Sequence, residues 1–203
     1  MATTRGLERL VFFTDAIAAI AITLLILPLV DLVPSIAAKQ GTLGDFFAES
    51  GAPLVGFLIS FAVIARLWYA HHQLFEHVTA YTPRLVLLTV AWGFTIVLLP
   101  LPTSITAQLD TSPGTVAFYI GTMAASSGIL TAMTLLIRGN PAIESAENPI
   151  SARGLIGISA NSIGFLVALV LGTAVPAINY WALFLLFLAP PVEALVGRRA
   201  RRR

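Results

Sequence analysis

The sequence predicts an all-α integral membrane protein with six transmembrane helices. Composition carries the first part of that expectation. Of the 203 residues, 57% are hydrophobic and only 11% are charged, with a mean hydropathy of +0.88. Soluble domains carry roughly 25% charged residues, so this few cannot cover a globule of such size. The same hydrophobicity excludes disorder. Six apolar stretches complete the case, each near the roughly 20 residues that a bilayer core of about 30 Å demands. Cysteine is absent, which removes disulfide frameworks, thiol catalysis and Cys-based metal sites.

The first span covers about 10–30. A cleavable leader is the alternative, since Ser35-Ile36-Ala37 offers small residues at a plausible cleavage spacing. Glu8 and Asp15 do not suit a basic leader, and five further spans follow, so a retained helix is expected. The second span covers 53–77, apolar to Tyr69 and polar from there to His77. The third, fourth, fifth and sixth cover 85–106, 115–137, 154–175 and 177–196. Pro34, Pro83, Pro113, Pro141, Pro149 and Pro176 fall at or between spans, where a missing N–H does least harm. Residues 1–203 therefore read as one six-helix domain, ending in a basic tail at 197–203.

Six spans put both termini on one side. That side then holds Arg5, Arg9, Arg84, Arg138, Arg153 and the terminal Arg198, Arg199, Arg201, Arg202 and Arg203. The other side holds Lys39 together with Asp31, Asp45, Glu49 and Asp110. Bases concentrate on the cytoplasmic face of membrane proteins, so both termini are expected in the cytoplasm. The terminal arginines read as a membrane-side anchor that can meet anionic lipid, and nucleic acid is not an expected partner. No motif recurs along the chain, which argues against an inverted-repeat transporter. A central pathway would need several copies.

Ionisable groups inside spans are costly and mark function by default. Asp15 lies one turn into the first span, and Arg66, His71 and His72 lie in the second. An up-down path brings the start of one helix level with the end of the next, so Asp15 can meet Arg9, a histidine or the Trp68 N–H. A structural clasp is the economical reading, with direct ion contact or a proton relay through His71 or His72 as alternatives. A metal site from His71, His72 and His77 is disfavoured, because adjacent helical residues point about 100° apart. Within the first helix, Ala16, Ala18, Ala19 and Ala21 permit close helix approach. Ile20, Leu24 and Leu27 form one stripe at helical spacing, Thr23 lies beside it, and Asp31 extends it by a turn. Periodicity alone leaves that stripe as lipid-facing, packed or pore-lining. Ser126, Ser127, Ser159, Asn161 and Ser162 read as interhelical hydrogen-bonding residues.

At these residues the chain resembles a known family. Arg9, Phe13, Thr14 and Asp15 are similar to the R-x-x-x-F-S-D signature of the TMEM175 potassium channels, with threonine in place of serine. Trp68, His71, His72 and Phe75 resemble the second-helix W-x-x-H-H-x-x-F pattern of that family, and Leu99-Pro100 with Pro102-Thr103 resembles its third-helix ending. The resemblance implies a homotetramer of six-span subunits in a bacterial plasma membrane, around a pore lined by the first helix. It implies a constriction at Ile20, Leu24 and Leu27 and a selectivity role for Thr23. Arg9, Phe13, Thr14, Asp15, Trp68, His71 and His72 would form the polar network tying the first helices together. Asp31 rests on helical spacing alone: it would sit at the outer mouth if it faced the axis, and a solvated loop acid is the more economical reading. The expected partners are identical subunits and membrane lipids. Potassium would be the permeant ion and no cofactor is expected. A proton-coupled secondary transporter using Asp15 and the histidines is the alternative. The sequence contains no H-E-x-x-H or G-x-S-x-G constellation pointing to an enzyme.

Overall fold

The structure, a computed structural model, describes residues 4–175 and 177–188. Among them only helices form, apart from one isolated antiparallel bridge between Val78 and Glu144. Five helical stretches are long and apolar enough to cross a membrane: Arg5–Ala38, Gly51–Phe75, Pro83–Gln108, Pro113–Arg138 and Ala152–Ala174. These correspond to the first five expected spans. The sixth is described only in its first part, where Asn179–Leu188 is a 3₁₀ helix. The remainder of that span and the basic tail at 197–203 lie outside the described residues.

Two of the spans are broken where a single helix is expected. The first comprises α1 (Thr4–Leu24), α2 (Leu27–Val30) and α3 (Val33–Ala38). Pro28 and Pro34 cause the breaks, each sitting in the first turn of the helix that follows. Pro28 has no N–H to give the Leu24 carbonyl. The bonding tightens before it, with Leu25 N–H reaching Ile22 O at 3.3 Å and Ile26 N–H reaching Thr23 O at 3.5 Å. Pro100 and Pro102 divide the third span in the same way, into α6 (Pro83–Leu98) and α7 (Pro100–Gln108). The prolines thus do more than punctuate the spans.

A further helix, α4 (Leu43–Glu49), fills the connection before α5 (Gly51–Phe75). Its start is a reciprocal cap: Thr42 Oγ1 accepts from Asp45 N–H at 3.4 Å, and Asp45 Oδ2 accepts from Thr42 N–H at 2.6 Å. Lys39 Nζ closes the connection on Glu49 Oε1 at 3.2 Å, an exposed pair worth little by itself. The last long helices are α8 (Pro113–Arg138) and α9 (Ala152–Ala174).

Helices α6 and α8 meet at the centre, contributing Trp92, Ile96, Ile120, Met123, Met133 and Ile137 to a fully buried core. Helix α1 lies against α5 and α6, and α9 covers α8. Gly93 lets α1 come close, since a Cβ there would stand 3.0 Å from Ile17 Cδ1. Hydroxyls join the helices within the apolar interior. Ser60 Oγ lies 2.8 Å from both Thr103 Oγ1 and Tyr119 OH, tying α5, α7 and α8 together. Across α8 and α9, Ser127 Oγ and Thr131 Oγ1 lie 2.8 and 2.7 Å from Ser162 Oγ, and Asn161 donates to Ser127 Oγ at 3.0 Å. Such bonds average a little under ~1 kcal/mol each in membrane bundles. Ser126 is buried too, but its hydroxyl has no partner among the described residues.

Two outcomes follow. A Cβ at Gly172 would stand 2.8 Å from the Asn179 carbonyl oxygen, a backbone atom with little room to yield. Gly172→Ala should therefore cost about 1–3 kcal/mol, read as a lower Tm in detergent. The hydrogen bonds from Thr42 hold the Asp45 carboxyl below its ordinary range. The cap's contribution is then present above the unfolded carboxylate pKa and is lost as pH falls through the lower folded value. Hydrogen exchange over residues 43–49 should accelerate, relative to its intrinsic rate, as pH falls below the ordinary aspartate pKa of about 4. Asp45→Asn should abolish that change.

Candidate functional site

Helix α1 has two faces of different fate. Thr14, Ala18, Ala21 and Leu25 recur at helical spacing and are buried within the chain, and Leu29 of α2 continues that line. The opposite face is uncovered: Ile20 is 59% exposed, Leu24 39% and Leu27 48%. Phe12, Phe13, Ala16, Ala19 and Thr23 share the uncovered side, with Arg9 at one end and Asp31 beyond the other. Ile20, Thr23, Leu24 and Leu27 thus form one continuous free strip in this chain. The Thr23 hydroxyl donates to its own helix at Ile20 O, 2.8 Å away. With its proton so committed, the oxygen keeps its lone pairs free. Such an oxygen suits a cation.

The base of α1 is fastened to α5 by a cross-helix bond. Trp68 Nε1 donates to Asp15 Oδ1 at 2.7 Å. Of the partners the sequence left open for Asp15, the structure brings the indole into contact. Arg9 is exposed and forms no ion pair with Asp15 among the described residues. Thr14 is fully buried, and its hydroxyl donates within its own helix to Val11 O at 2.8 Å. Phe13 lies on the uncovered side, half exposed.

The three histidines diverge. His72 stacks on Trp68 with ring centroids 5.6 Å apart and faces Glu76 at 3.9 Å. His77 Nδ1 lies 2.8 Å from the Asn148 carbonyl oxygen. His71 is 0% exposed and sandwiched between Trp92 at 4.2 Å and Phe75 at 4.5 Å. Neither of its ring nitrogens has a hydrogen-bond partner among the described residues. His71 therefore serves α5 and α6 as a flat aromatic body, and Asp15 is served by Trp68.

Sequence reasoning missed Trp92 as the other half of this stack, and it missed the Ser60–Thr103–Tyr119 cluster. A signal for the cluster was present: Ser60 stands alone as a hydroxyl among Leu58, Ile59, Phe61 and Val63 in a span. Nothing in the sequence places Trp92 opposite His71.

Residues 9–100, which run from the first turns of α1 through α6 to the start of α7, match the family model described as endosomal/lysosomal potassium channel TMEM175. Over residues 9–100 this chain is similar to the TMEM175 family. Individual relatives agree. The bovine (Bos taurus) endosomal/lysosomal proton channel TMEM175 is 41% identical over 86 residues, which are 40% of this chain and 18% of that protein. The human (Homo sapiens) protein of the same name is 37% identical over 86 residues, 40% of this chain and 17% of its own length. A potassium channel of Streptomyces collinus is 32% identical over 96 residues, 47% of this chain and 45% of that protein. The chain thus spans less than half the length of each curated relative. The strip and the Asp15–Trp68 bond both fall inside the matched segment.

The bond can be tested alone. Trp68→Phe keeps an aromatic ring for His72 but removes the donor to Asp15. It should cost about 1–3 kcal/mol, measured by thermal unfolding in detergent. Asp15→Asn retains an acceptor oxygen and should cost less.

Proposed function

We propose that this chain is one subunit of a passive cation channel whose pore is lined by α1. The observation that carries the reading is the uncovered strip of Ile20, Thr23, Leu24 and Leu27 in the family-matched first helix. Lipid contact is the rival explanation of an uncovered apolar face. The lipid-facing type is represented by α9, whose exposed Ile163, Leu166, Val167 and Val170 are uniformly large. The α1 strip differs: alanines at 16 and 19 allow close approach by another helix, and a hydroxyl and two charged residues mark its course.

In this reading four copies surround the axis, as the family resemblance implies. Each has six spans and cytoplasmic termini, with the tail at 197–203 on the cytoplasmic side of a bacterial plasma membrane. The whole of 1–203 acts as one channel domain. Rings of Ile20, Leu24 and Leu27 make a constriction from which water withdraws, and dewetting closes it without a plug. An unhydrated cation finds no ligand on these side chains, so they gate and sieve. The ring of Thr23 oxygens supplies the coordination that favours potassium, while Asp31 raises cation concentration at the outer mouth by a field screened at physiological salt. Asp15 and Trp68 hold α1 at a fixed rotation on α5, which keeps the strip aimed at the axis.

Coupled transport is the weaker reading, because the relatives matched are all named as channels. Proton permeation is the second reading, favoured by the names of the vertebrate relatives.

With purified protein in liposomes, Ile20→Ala or Leu24→Ala should raise passive potassium flux several-fold. Unchanged flux in both would remove the constriction from α1. Thr23→Val keeps the shape without the oxygen and should lower the potassium-to-sodium permeability ratio, read from reversal potentials in a bilayer. A reversal potential that follows the pH gradient would instead establish proton permeation.

A further inference from the structure

We infer that the cleft between α5, α8 and α9 is a binding site for an anionic phospholipid. The cleft measures about 330 Å³. Leu67, Leu130 and Ile158 form part of its apolar wall, and Arg66, Gln73 and His77 supply polar groups along α5. Helices that cross the membrane form it, so an occupant entering from the side comes from the bilayer.

Charge selects the occupant. At a rise of about 1.5 Å per residue, Arg66 lies roughly 13 Å along α5 from its end at Phe75. That is within reach of the headgroup level for a side chain that can snorkel. Among the described residues its guanidinium forms one hydrogen bond, from Nη2 to Asn161 Oδ1 at a long 3.4 Å, and no ion pair. A basic group at membrane depth is costly and almost always finds a counter-charge or a route to water. Glu144, in the loop that borders the cleft, forms no ion pair with it among the described residues and instead accepts from Ile150 N–H at 2.8 Å. More positive charge stands nearby: Arg138 donates to Ile150 O at 3.3 Å, and Ile150 itself lines the cleft. A phosphodiester beside Arg66 supplies the missing negative charge while one acyl chain covers the apolar wall. A net-negative headgroup is preferred over phosphatidylcholine, whose own ammonium would meet the Arg66 guanidinium.

Lipid capture at this cleft is independent of conduction by α1. The test uses the full chain, stripped of lipid in detergent and incubated with phosphatidylglycerol or phosphatidylcholine, with bound lipid counted by native mass spectrometry. Wild type should retain phosphatidylglycerol about tenfold over phosphatidylcholine, a ratio that corresponds to about 1.4 kcal/mol. Arg66→Gln should bring the two lipids level, and Arg66→Lys should keep most of the preference. Gly154→Leu tests the cavity without touching charge. A Cβ there has Ser151 Oγ at 3.4 Å as its nearest neighbour, and Gly154 lines the cleft. That variant should lower retention of both lipids. Equal phosphatidylglycerol retention by wild type, Arg66→Gln and Gly154→Leu overturns the site. So does efficient crosslinking from a cysteine placed at Gln73 to a neighbouring protomer, which would show a second copy filling the cleft.

Discussion

Hydrocarbon offers no hydrogen bonds, so a chain that crosses it has to satisfy its own backbone. Everything else in this molecule is arranged around that constraint. It makes the spans helical, and it turns each proline within a span into an event. Pro28 ends the hydrogen bonding of α1 just beyond Thr23 and Leu24, and Pro100 divides the third span at Leu99. The same constraint applies to side chains. Ser60, Thr103 and Tyr119 satisfy one another, as do Ser127, Thr131 and Ser162. Thr14, Thr89 and Thr134 bond to carbonyls of their own helices.

Against this background the Asp15–Trp68 bond is unusual because it joins two helices through a carboxylate. A single donor at 2.7 Å fixes which way α1 faces, since rotating the helix by one residue would carry Asp15 about 100° away. The apolar face with Ala18, Ala21 and Leu25 then falls inward, and the strip with Ile20, Thr23 and Leu24 falls outward. His71 contributes from behind. Stacked flat between Phe75 and Trp92, it backs α5 against α6 and leaves the contact with α1 to its neighbours.

Much of this was legible in the sequence because lipid makes hydrophobic length a strong signal. The five described spans begin and end within a few residues of the apolar runs, apart from Arg5–Ala38, which extends well past both ends of its run. Helical spacing groups Ile20, Leu24 and Leu27, and an up-down path limits the partners of Asp15 to a short set that includes Trp68. Three things were not legible. The breaks at Pro28 and Pro100 depend on whether neighbouring helices hold a proline-containing stretch straight, which is a tertiary property. The cap on α4 could be read from Thr42 and Asp45, but a seven-residue helix is below the length at which apolar pattern speaks. The pairing of His71 with Trp92, and of Arg66 with Asn161, depends on how distant segments of chain dock.

The two proline breaks also differ in how firmly their far sides are held. Beyond Leu99, α7 is bolted to its neighbours, because Thr103 shares Ser60 with Tyr119 and so ties it to α5 and, through Ser60, to α8. Beyond Leu25, the side-chain hydrogen bond that links this stretch to another helix is the exposed Lys39–Glu49 pair at the end of α3, and Ser35 bonds only within its own turn. Leu29 and Ile36 are held by burial alone. Compliance is therefore unevenly distributed, concentrated in the part of the first span beyond Leu25, where a small swivel moves Leu27 without disturbing the anchored base.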